Sequence, residues 1–141
     1  MKPIEFHYDV DGDDFVSAGH ASSDLKKKLK KMQVPPEIIR RVTIAMYEGE
    51  INMVIHADGG TIDVSIGPEG IHMVLADRGP GIADLDKAMT AGFSTASNEA
   101  KSLGFGAGMG LPNMKKSSDE MQVDTVIGVG TTVTMMVHLT A

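Results

Sequence analysis

The chain has 141 residues, a mass of 15.0 kDa, 42% hydrophobic residues and a formal net charge of -6, which suits one globular domain over residues 1–141. The acidic balance argues against a nucleic-acid surface, which needs a basic face, and the absence of cysteine excludes disulfides and thiolate metal sites. The sequence shows neither a signal peptide nor an apolar run of about 18 residues, so it predicts a cytoplasmic protein without membrane contact.

The N-terminal part of the chain predicts one strand and one helix from two different hydrophobic periods. Apolar and polar residues alternate from Ile4 to Val10, as in a half-buried strand. From about Phe15 to Met32 the apolar residues recur at helical spacing, with Asp13 or Asp14 as the expected N-cap.

One basic run stands out in a chain that is acidic overall. Five lysines lie between residues 26 and 31, and helical spacing puts them opposite the apolar side of the first helix. A solvated helix face is the simpler interpretation, and docking of an acidic partner is the alternative.

A second helix is predicted from Pro36, which suits a first helical turn, to about Ala57. One side of this helix carries apolar residues that are expected to pack on a sheet: Ile38, Val42, Ala45, Met46 and Met53. On another side Glu48, Asn52 and His56 follow one another at i+4 spacing, so a carboxylate, an amide and an imidazole share one line. Taken alone, this line is more simply explained as a polar solvent face.

The remaining predicted elements alternate between hairpins and helices. In chain order they are a hairpin of residues 62–66 and 71–75 that ends at Asp77, a short helix near Asp84 to Ala91, a polar loop from Ser94 to Ser102, a helix from Leu111 to about Ser118, and a hairpin of Met121 to Val126 and Thr131 to Leu139. This order predicts an α/β two-layer sandwich, in which one mixed sheet is covered on a single face by helices.

The segment Asp77-Arg78-Gly79-Pro80-Gly81-Ile82 directly follows a predicted strand, so Asp77 is expected at the edge of the sheet. Its carboxylate could accept a hydrogen bond from an exocyclic amine such as that of adenine. Gly79 and Gly81 would let the backbone come close to a flat ligand. An ordinary Asp-x-Gly turn explains the same residues without a ligand.

Four glycines, Gly104, Gly106, Gly108 and Gly110, are spaced by two and lead into a predicted helix. Their backbone N–H groups, beside the positive end of that helix, would suit a polyphosphate. The run matches neither Gly-x-x-x-x-Gly-Lys-Ser/Thr nor Gly-x-Gly-x-x-Gly, so neither a P-loop nor a Rossmann turn is indicated. A glycine-rich loop without function is the alternative.

Taken together and in this order, four motifs resemble the ATP-binding motifs of the histidine-kinase/gyrase (GHKL) ATPase superfamily. They are Glu48 with Asn52, Asp77-x-Gly79-x-Gly81, the glycine run from Gly104 to Gly110, and Gly128-Val129-Gly130-Thr131-Thr132-Val133. The similarity extends from about Arg41 to the C-terminus. It implies the Bergerat ATP-binding fold in a single HATPase_c-like domain.

Within this superfamily the chain looks most like the anti-sigma factors and stressosome switch kinases. The residues that carry this likeness are the run from Asp77 to Asp84, Ala88-Met89, Gly92-Phe93-Ser94-Thr95, Gly108-Met109-Gly110-Leu111-Pro112 and Asp119-Glu120. Members of that group phosphorylate a serine or threonine on a small partner of the anti-sigma-factor-antagonist (STAS) type.

The resemblance implies a role for each matching residue. Glu48 would orient or deprotonate the attacking hydroxyl, and Asn52 would hold Mg²⁺ against the phosphates of ATP. Asp77 would accept the adenine amine, and the other nucleotide contacts would come from Gly79, Gly81, Ile82, Thr131 and the glycines Gly104, Gly106, Gly108 and Gly110. His56 either contacts phosphate or closes the helix. Gly49, next to Glu48, costs about 1 kcal/mol relative to alanine and predicts a loosened catalytic turn.

The resemblance therefore predicts a serine/threonine protein kinase that uses ATP and Mg²⁺ to phosphorylate a STAS-type antagonist. The alternative is a non-catalytic switch, in which ATP or ADP sets the affinity for a sigma factor, an antagonist or a phosphatase. A detached ATPase half of a histidine kinase is disfavoured, because 141 residues leave no room for a dimerisation helix pair and His20 would be the only acceptor. The identity of the partner and the formation of a homodimer stay open.

Overall fold

The computed structural model describes residues 3–12, 16–56, 59–79, 81–82, 89 and 110–139. Within these ranges the elements are, in chain order, β1 (Ile4–Asp11), α1 (His20–Lys31), α2 (Pro36–His56), β2 (Gly59–Ile66), β3 (Gly70–Asp77), α3 (Gly110–Ser117), β4 (Glu120–Val126) and β5 (Gly130–His138). The helix predicted near residues 84–91, apart from Met89, and the loop predicted at 94–102 lie outside the described residues.

The five strands form one sheet in the order β1-β2-β3-β5-β4, and each neighbouring pair is antiparallel. The predicted α/β sandwich is confirmed, but the sheet is not mixed, because the described strands contain no parallel pair. The reason lies in the connection from β1 to β2. Two helices in succession return the chain to the end of β1, where Gly59 pairs with Asp11, whereas a single crossover helix would have made a parallel pair.

The core lies between the sheet and the helices that cover one of its faces. Val64, Met73 and Met135 follow one another across three neighbouring strands and are almost completely buried. The apolar side of α2 fills the other layer with buried residues, namely Ile39, Val42, Ala45, Met46 and Met53. Ile38, which was predicted on this side, is only half-buried. Alternate strand residues point to the opposite face of the sheet, as the period of two requires.

Helix α1 begins at His20, later than the predicted start near Phe15. Gly19 precedes it in the left-handed conformation, with φ of 91°. The carboxylate of Glu50 on α2, only 2% exposed, accepts four hydrogen bonds at this end of α1. The donors are the backbone N–H groups of Gly19 (3.1 Å), Ala21 (3.0 Å) and Ser22 (3.0 Å), and the hydroxyl of Ser22 (2.6 Å). A neighbouring helix therefore caps α1, while the expected caps at residues 13–14 lie outside the described residues.

The other helix and strand boundaries agree closely with the sequence. Helices α2 and α3 and strands β4 and β5 start and end within one residue of the predicted bounds. Strand β2 starts at Gly59, three residues before the predicted start of the hairpin at residue 62. Among the described helices, none is both long and apolar enough to cross a bilayer.

Candidate nucleotide site

Glu48 and Asn52 lie one turn apart on α2, and α3 packs against both of them. The Nδ2 amide of Asn113 donates a hydrogen bond to Oε1 of Glu48 at 3.2 Å. Gly110, the first residue of α3, faces Asn52, because a Cβ added to this glycine would lie 2.9 Å from Nδ2 and 3.0 Å from Oδ1 of Asn52. An i, i+4 pair of α2 thus meets an i, i+3 pair of α3. We call these four residues the helix half of the site.

A second group of residues gathers where β3 ends. Oδ1 of Asp77 accepts hydrogen bonds from the backbone N–H groups of Gly79 and Thr131, both at 2.9 Å. Oγ1 of Thr125 accepts the backbone N–H of Ile82 at 2.8 Å and lies 3.0 Å from Oγ1 of Thr131. These bonds join the end of β3, the turn after it and the β4–β5 hairpin. We call these five residues the strand half of the site.

The turn after Asp77 lies directly against the β4–β5 hairpin at Gly81. This residue has a φ of 83°, a conformation that L side chains rarely adopt. A Cβ added to it would lie 2.7 Å from the carbonyl oxygen of Val126 and 2.9 Å from Cα of Ile127. The glycine therefore lets this turn pack against the backbone of the hairpin, whereas the approach of a flat ligand to Gly81 stays a prediction.

The helix half and the strand half are connected through Gly49, the residue that follows Glu48 on α2. A Cβ on Gly49 would overlap Cδ2 of Leu75 and would lie 3.3 Å from Sδ of Met114. Leu75 belongs to β3, two residues before Asp77, and Met114 belongs to α3. The glycine therefore lets α2 come close to both neighbours, and the residues beside Glu48 are closely packed, whereas the predicted loosening of this turn stays a prediction.

Two carboxylate oxygens of the site accept no hydrogen bond from the residues that the structure describes. Oδ1 of Asp77 and Oε1 of Glu48 are used within the protein, whereas the described residues make no hydrogen bond to Oδ2 of Asp77 or Oε2 of Glu48. A free carboxylate oxygen suits an exocyclic amine, and the amide oxygen of Asn52 is of the type that Mg²⁺ prefers. The donor set therefore fits an adenine nucleotide with its magnesium ion.

The structure brings together most of the residues that the sequence singled out. Those in or next to the two halves are Glu48, Asn52, Asp77, Gly79, Gly81, Ile82, Gly110 and Thr131. His56 is the last residue of α2, and its side chain lies outside the described part of the chain, as do Gly104, Gly106 and Gly108. The structure shows where the described residues lie, and the roles assigned to all of the site residues stay predictions.

Sequence reasoning missed two residues of the site, Asn113 and Thr125. The position of each residue relative to a predicted site residue indicates its role, but only once the contacts between the elements are known. Asn113 lies three residues after Gly110 and so on the same face of α3, and Thr125 is the cross-strand partner of Thr131. Their contacts depend on how α3 meets α2 and on the register of the hairpin.

Comparisons with known proteins agree with this site. A family model described as a histidine kinase-like ATPase domain matches residues 16–137. The chain is 36% identical over 95 residues to the serine/threonine-protein kinase RsbT of Bacillus subtilis (strain 168), an alignment that covers 64% of this chain and 65% of RsbT. The chain thus spans slightly less than two thirds of RsbT.

Anti-sigma F factors are also similar to the chain. The identity is 32% over 114 residues with the anti-sigma F factor of Thermoanaerobacter sp. (strain X514). It is 33% over 114 residues with that of Caldanaerobacter subterraneus subsp. tengcongensis. Both alignments cover 76% of this chain and 76% of the relative. The resemblance predicted from the four motifs is confirmed.

Proposed function

Because the chain belongs to the histidine kinase-like ATPase domain family, we propose that it binds ATP with Mg²⁺ and transfers a phosphoryl group to a serine or threonine hydroxyl of a partner protein. The proposed partner is a small anti-sigma-factor antagonist of the STAS type, and residues 1–141 would act as one domain. The observation that carries this proposal is the position of Glu48. The carboxylate of Glu48 is held by Asn113, and Glu48 lies one turn before Asn52 on α2. The same turn of α2 packs, through Gly49, against the strand that ends in Asp77.

The strand half would bind the base of the nucleotide. Oδ2 of Asp77 would accept a hydrogen bond from the adenine amine, while Oδ1 keeps the two backbone N–H groups that fix the carboxylate. Gly79, Gly81 and Ile82 would line the ring with backbone, and Thr131, which is only 7% exposed, would close its far side.

The helix half would serve the phosphates and the attacking hydroxyl. The bound Mg-nucleotide supplies the phosphoryl group and the charge neutralisation that phosphoryl transfer requires. Oδ1 of Asn52 would be a ligand of the metal ion. The glycines of the run 104–110 would donate backbone N–H groups to phosphate oxygens, and His56 is a further candidate for a phosphate contact.

Glu48 would act on the hydroxyl group of the partner. With Oε1 held by Asn113, Oε2 is the oxygen that accepts the proton of the attacking serine or threonine. Since phosphoryl transfer depends mainly on positioning and charge, this base and a correctly placed nucleotide suffice without a protein nucleophile. RsbT, named a serine/threonine-protein kinase, supports a reaction of this class.

The substitution Glu48→Ala tests the proposal. We expect phosphotransfer from radiolabelled ATP to purified STAS-domain antagonists of the source genome to fall by at least about a hundredfold, because general-base catalysis contributes that much. ADP affinity, measured by calorimetry with and without Mg²⁺, should stay unchanged. Glu37→Ala is the matched control, since Glu37 is an exposed glutamate near the start of the same helix.

Two outcomes would contradict the proposal in different ways. Full phosphotransfer by Glu48→Ala would remove Glu48 from its role while leaving the nucleotide site intact. Absence of any ADP or ATP binding by the unsubstituted chain would remove the nucleotide site itself.

The second candidate function is a nucleotide-dependent binding switch without chemistry. It is favoured by the similarity to proteins named anti-sigma F factor, a name that describes binding rather than catalysis. In this case ATP and ADP would set different affinities for a sigma factor, an antagonist or a phosphatase, and Glu48→Ala would leave them unchanged. Equal affinities for the partner with ATP and with ADP would exclude it.

A further inference from the structure

Basic residues are concentrated in one short part of this acidic chain. Seven of its thirteen Lys and Arg residues lie between residues 26 and 41, where Glu37 is the only acidic residue. This segment comprises the C-terminal half of α1, the connection after it and the first turns of α2. The proposed nucleotide site uses none of these residues.

The structure folds this segment around a groove between α1 and α2. The groove has a volume of about 540 Å³. Its rim carries Lys26 and Lys30, one turn apart on α1, and Arg40 on α2. Its apolar lining includes Val34, Ile39 and Ile44. The groove thus combines basic edges with an aliphatic floor.

The positive charges on the rim are available to a ligand. Within the described ranges no acidic side chain lies in salt-bridge distance of Lys26 or Lys30, whereas Lys28 is bound to Asp24 at 2.8 Å and turned away from the groove toward the Phe6 ring. Arg40 pairs with Glu37 through Nη2 at 2.7 Å and Nε at 3.2 Å, at an exposed position where a single ion pair is weak. A guanidinium has more N–H donors than one carboxylate can use.

The floor of the groove is apolar, and the hydroxyl of Thr43, its polar group, already has a hydrogen-bond partner. Ile39 is 6% exposed, and the neighbouring Thr43 donates its hydroxyl to the carbonyl oxygen of Ile39 at 2.7 Å, so this polar atom is satisfied inside the helix. From Pro36 to Ile44 the floor extends for about 12 Å, the length of roughly two helical turns. A ligand that matches it needs aliphatic groups along its centre and negative charge along both sides.

We propose that this groove binds an amphipathic acidic helix of a partner protein. Leucine-type side chains spaced by three and four residues would fill the floor, and flanking carboxylates would pair with Lys26, Lys30 and Arg40. An anionic lipid surface fits less well, because the apolar side chains of Val34, Ile39 and Ile44 are buried or half-buried, whereas the charged residues of the rim are exposed. Nucleic acid fits less well because the lining residues that the structure describes include no aromatic side chain on which a base could stack.

The proposed groove is independent of the nucleotide site. Arg40 and Asn52 are separated by twelve residues of α2, which corresponds to about 18 Å along the helix. Substitutions in the groove should therefore leave ADP affinity unchanged, and loss of nucleotide binding should leave the groove intact.

The experiment uses a fluorescein-labelled synthetic helix of about 15 residues, with leucines at i, i+3, i+4 and i+7 and glutamates beside them. Fluorescence anisotropy measures its affinity for the full chain. We expect the double variant Lys26→Glu with Lys30→Glu to bind the peptide at least about tenfold more weakly than the unsubstituted chain does. A second peptide, with lysines in place of the glutamates, should bind this variant more tightly than it binds the unsubstituted chain. Lys27→Glu with Lys31→Glu is the matched control, because it changes the charge of α1 equally outside the groove and should weaken binding less than about threefold.

A set of further measurements decides the outcome. Ile44→Ser should also weaken binding, and a peptide with serines in place of its leucines should not bind. The proposal is overturned if both charge-reversed variants lose equal affinity, if the serine peptide binds as well as the leucine peptide, or if the peptide does not bind. Binding of phosphatidylglycerol vesicles or of a single-stranded oligonucleotide at the same residues, without peptide binding, would assign the basic segment to another class of ligand and would equally overturn it.

Discussion

The strand half and the helix half of the candidate site are held in different ways. In the strand half, the side chains of Asp77 and Thr125 accept hydrogen bonds from backbone N–H groups at 2.8 to 2.9 Å, so the fold itself fixes the atoms that would face the proposed base. In the helix half, Glu48 is held by the longer side-chain bond to Asn113, at 3.2 Å, and Asn52 is limited by the space around Gly110. Positions that depend on side-chain torsions are easier to change than positions that depend on backbone. Nucleotide binding and catalysis should therefore be separable.

The largest effect on nucleotide affinity is expected for a substitution at Asp77, which would change the strand half without changing the helix half. In Asp77→Asn the amide oxygen can still accept the two backbone N–H groups, but the other side-chain atom becomes a donor that faces the adenine amine. We expect ADP affinity to fall by about a hundredfold, the contribution of a hydrogen bond to a charged group, with little change in thermal stability. Isothermal titration calorimetry measures the affinity for ADP. Asp63→Asn, the same substitution on the face of the sheet without helices, is the control, and unchanged affinity in Asp77→Asn would contradict the proposed base site.

An intermediate effect is expected where the halves are joined. In Gly49→Ala the new Cβ would crowd Leu75, and overpacking costs about 1 to 3 kcal/mol, which the better helix propensity of alanine offsets only in part. We expect urea unfolding to show a net loss of stability of up to about 2 kcal/mol. Leu75→Val makes room beside it, so the double variant should lose less than the sum of the two single losses. Stabilisation by Gly49→Ala alone would show that α2 and β3 do not need this close approach.

The smallest effect is expected within the helix half. Asn113→Ala removes the bond that orients Glu48, so phosphotransfer should slow by about tenfold, or roughly 1.4 kcal/mol of barrier, while ADP affinity stays the same. Asn113→Asp, which puts a carboxylate against Glu48, should slow it further, and Asn113→Gln should restore part of the rate. A fall in ADP affinity that parallels the fall in rate would mean that the two halves are not separable.

The elements that the sequence predicted correctly are those specified by local patterns. The alternation from Ile4 to Val10 and the helical spacing on α2 each need only their own residues, and Asp77 could be expected at a strand end because it follows an alternating run. The start of α1 could not be predicted in this way, because Glu50, which caps it, lies about 30 residues further along the chain. The relative direction of β1 and β2 likewise depends on how α1 and α2 pack. Because local patterns do not show this packing, the sequence wrongly predicted a mixed sheet.

The predicted site was incomplete for a related reason. Glu48 and Asn52 share a line on one helix, and that line is visible in the sequence as i+4 spacing. Asn113 and Thr125 belong to the site through contacts made across elements, and neither residue type nor spacing distinguishes them from other polar residues. The roles proposed for Gly104, Gly106 and Gly108 remain predictions from their spacing and from the resemblance.

Three consecutive residues of α2 each contact a different neighbour. Glu48 contacts α3, Gly49 approaches β3, and Glu50 holds the beginning of α1. If Glu48 is the proposed base, selection on the chemistry would act on Glu48, whereas selection on folding would act on Gly49 and Glu50. In homologues that have become pseudoenzymes, substitutions should therefore accumulate at the position of Glu48 while the two positions after it are retained, a pattern by which such homologues can be identified from an alignment.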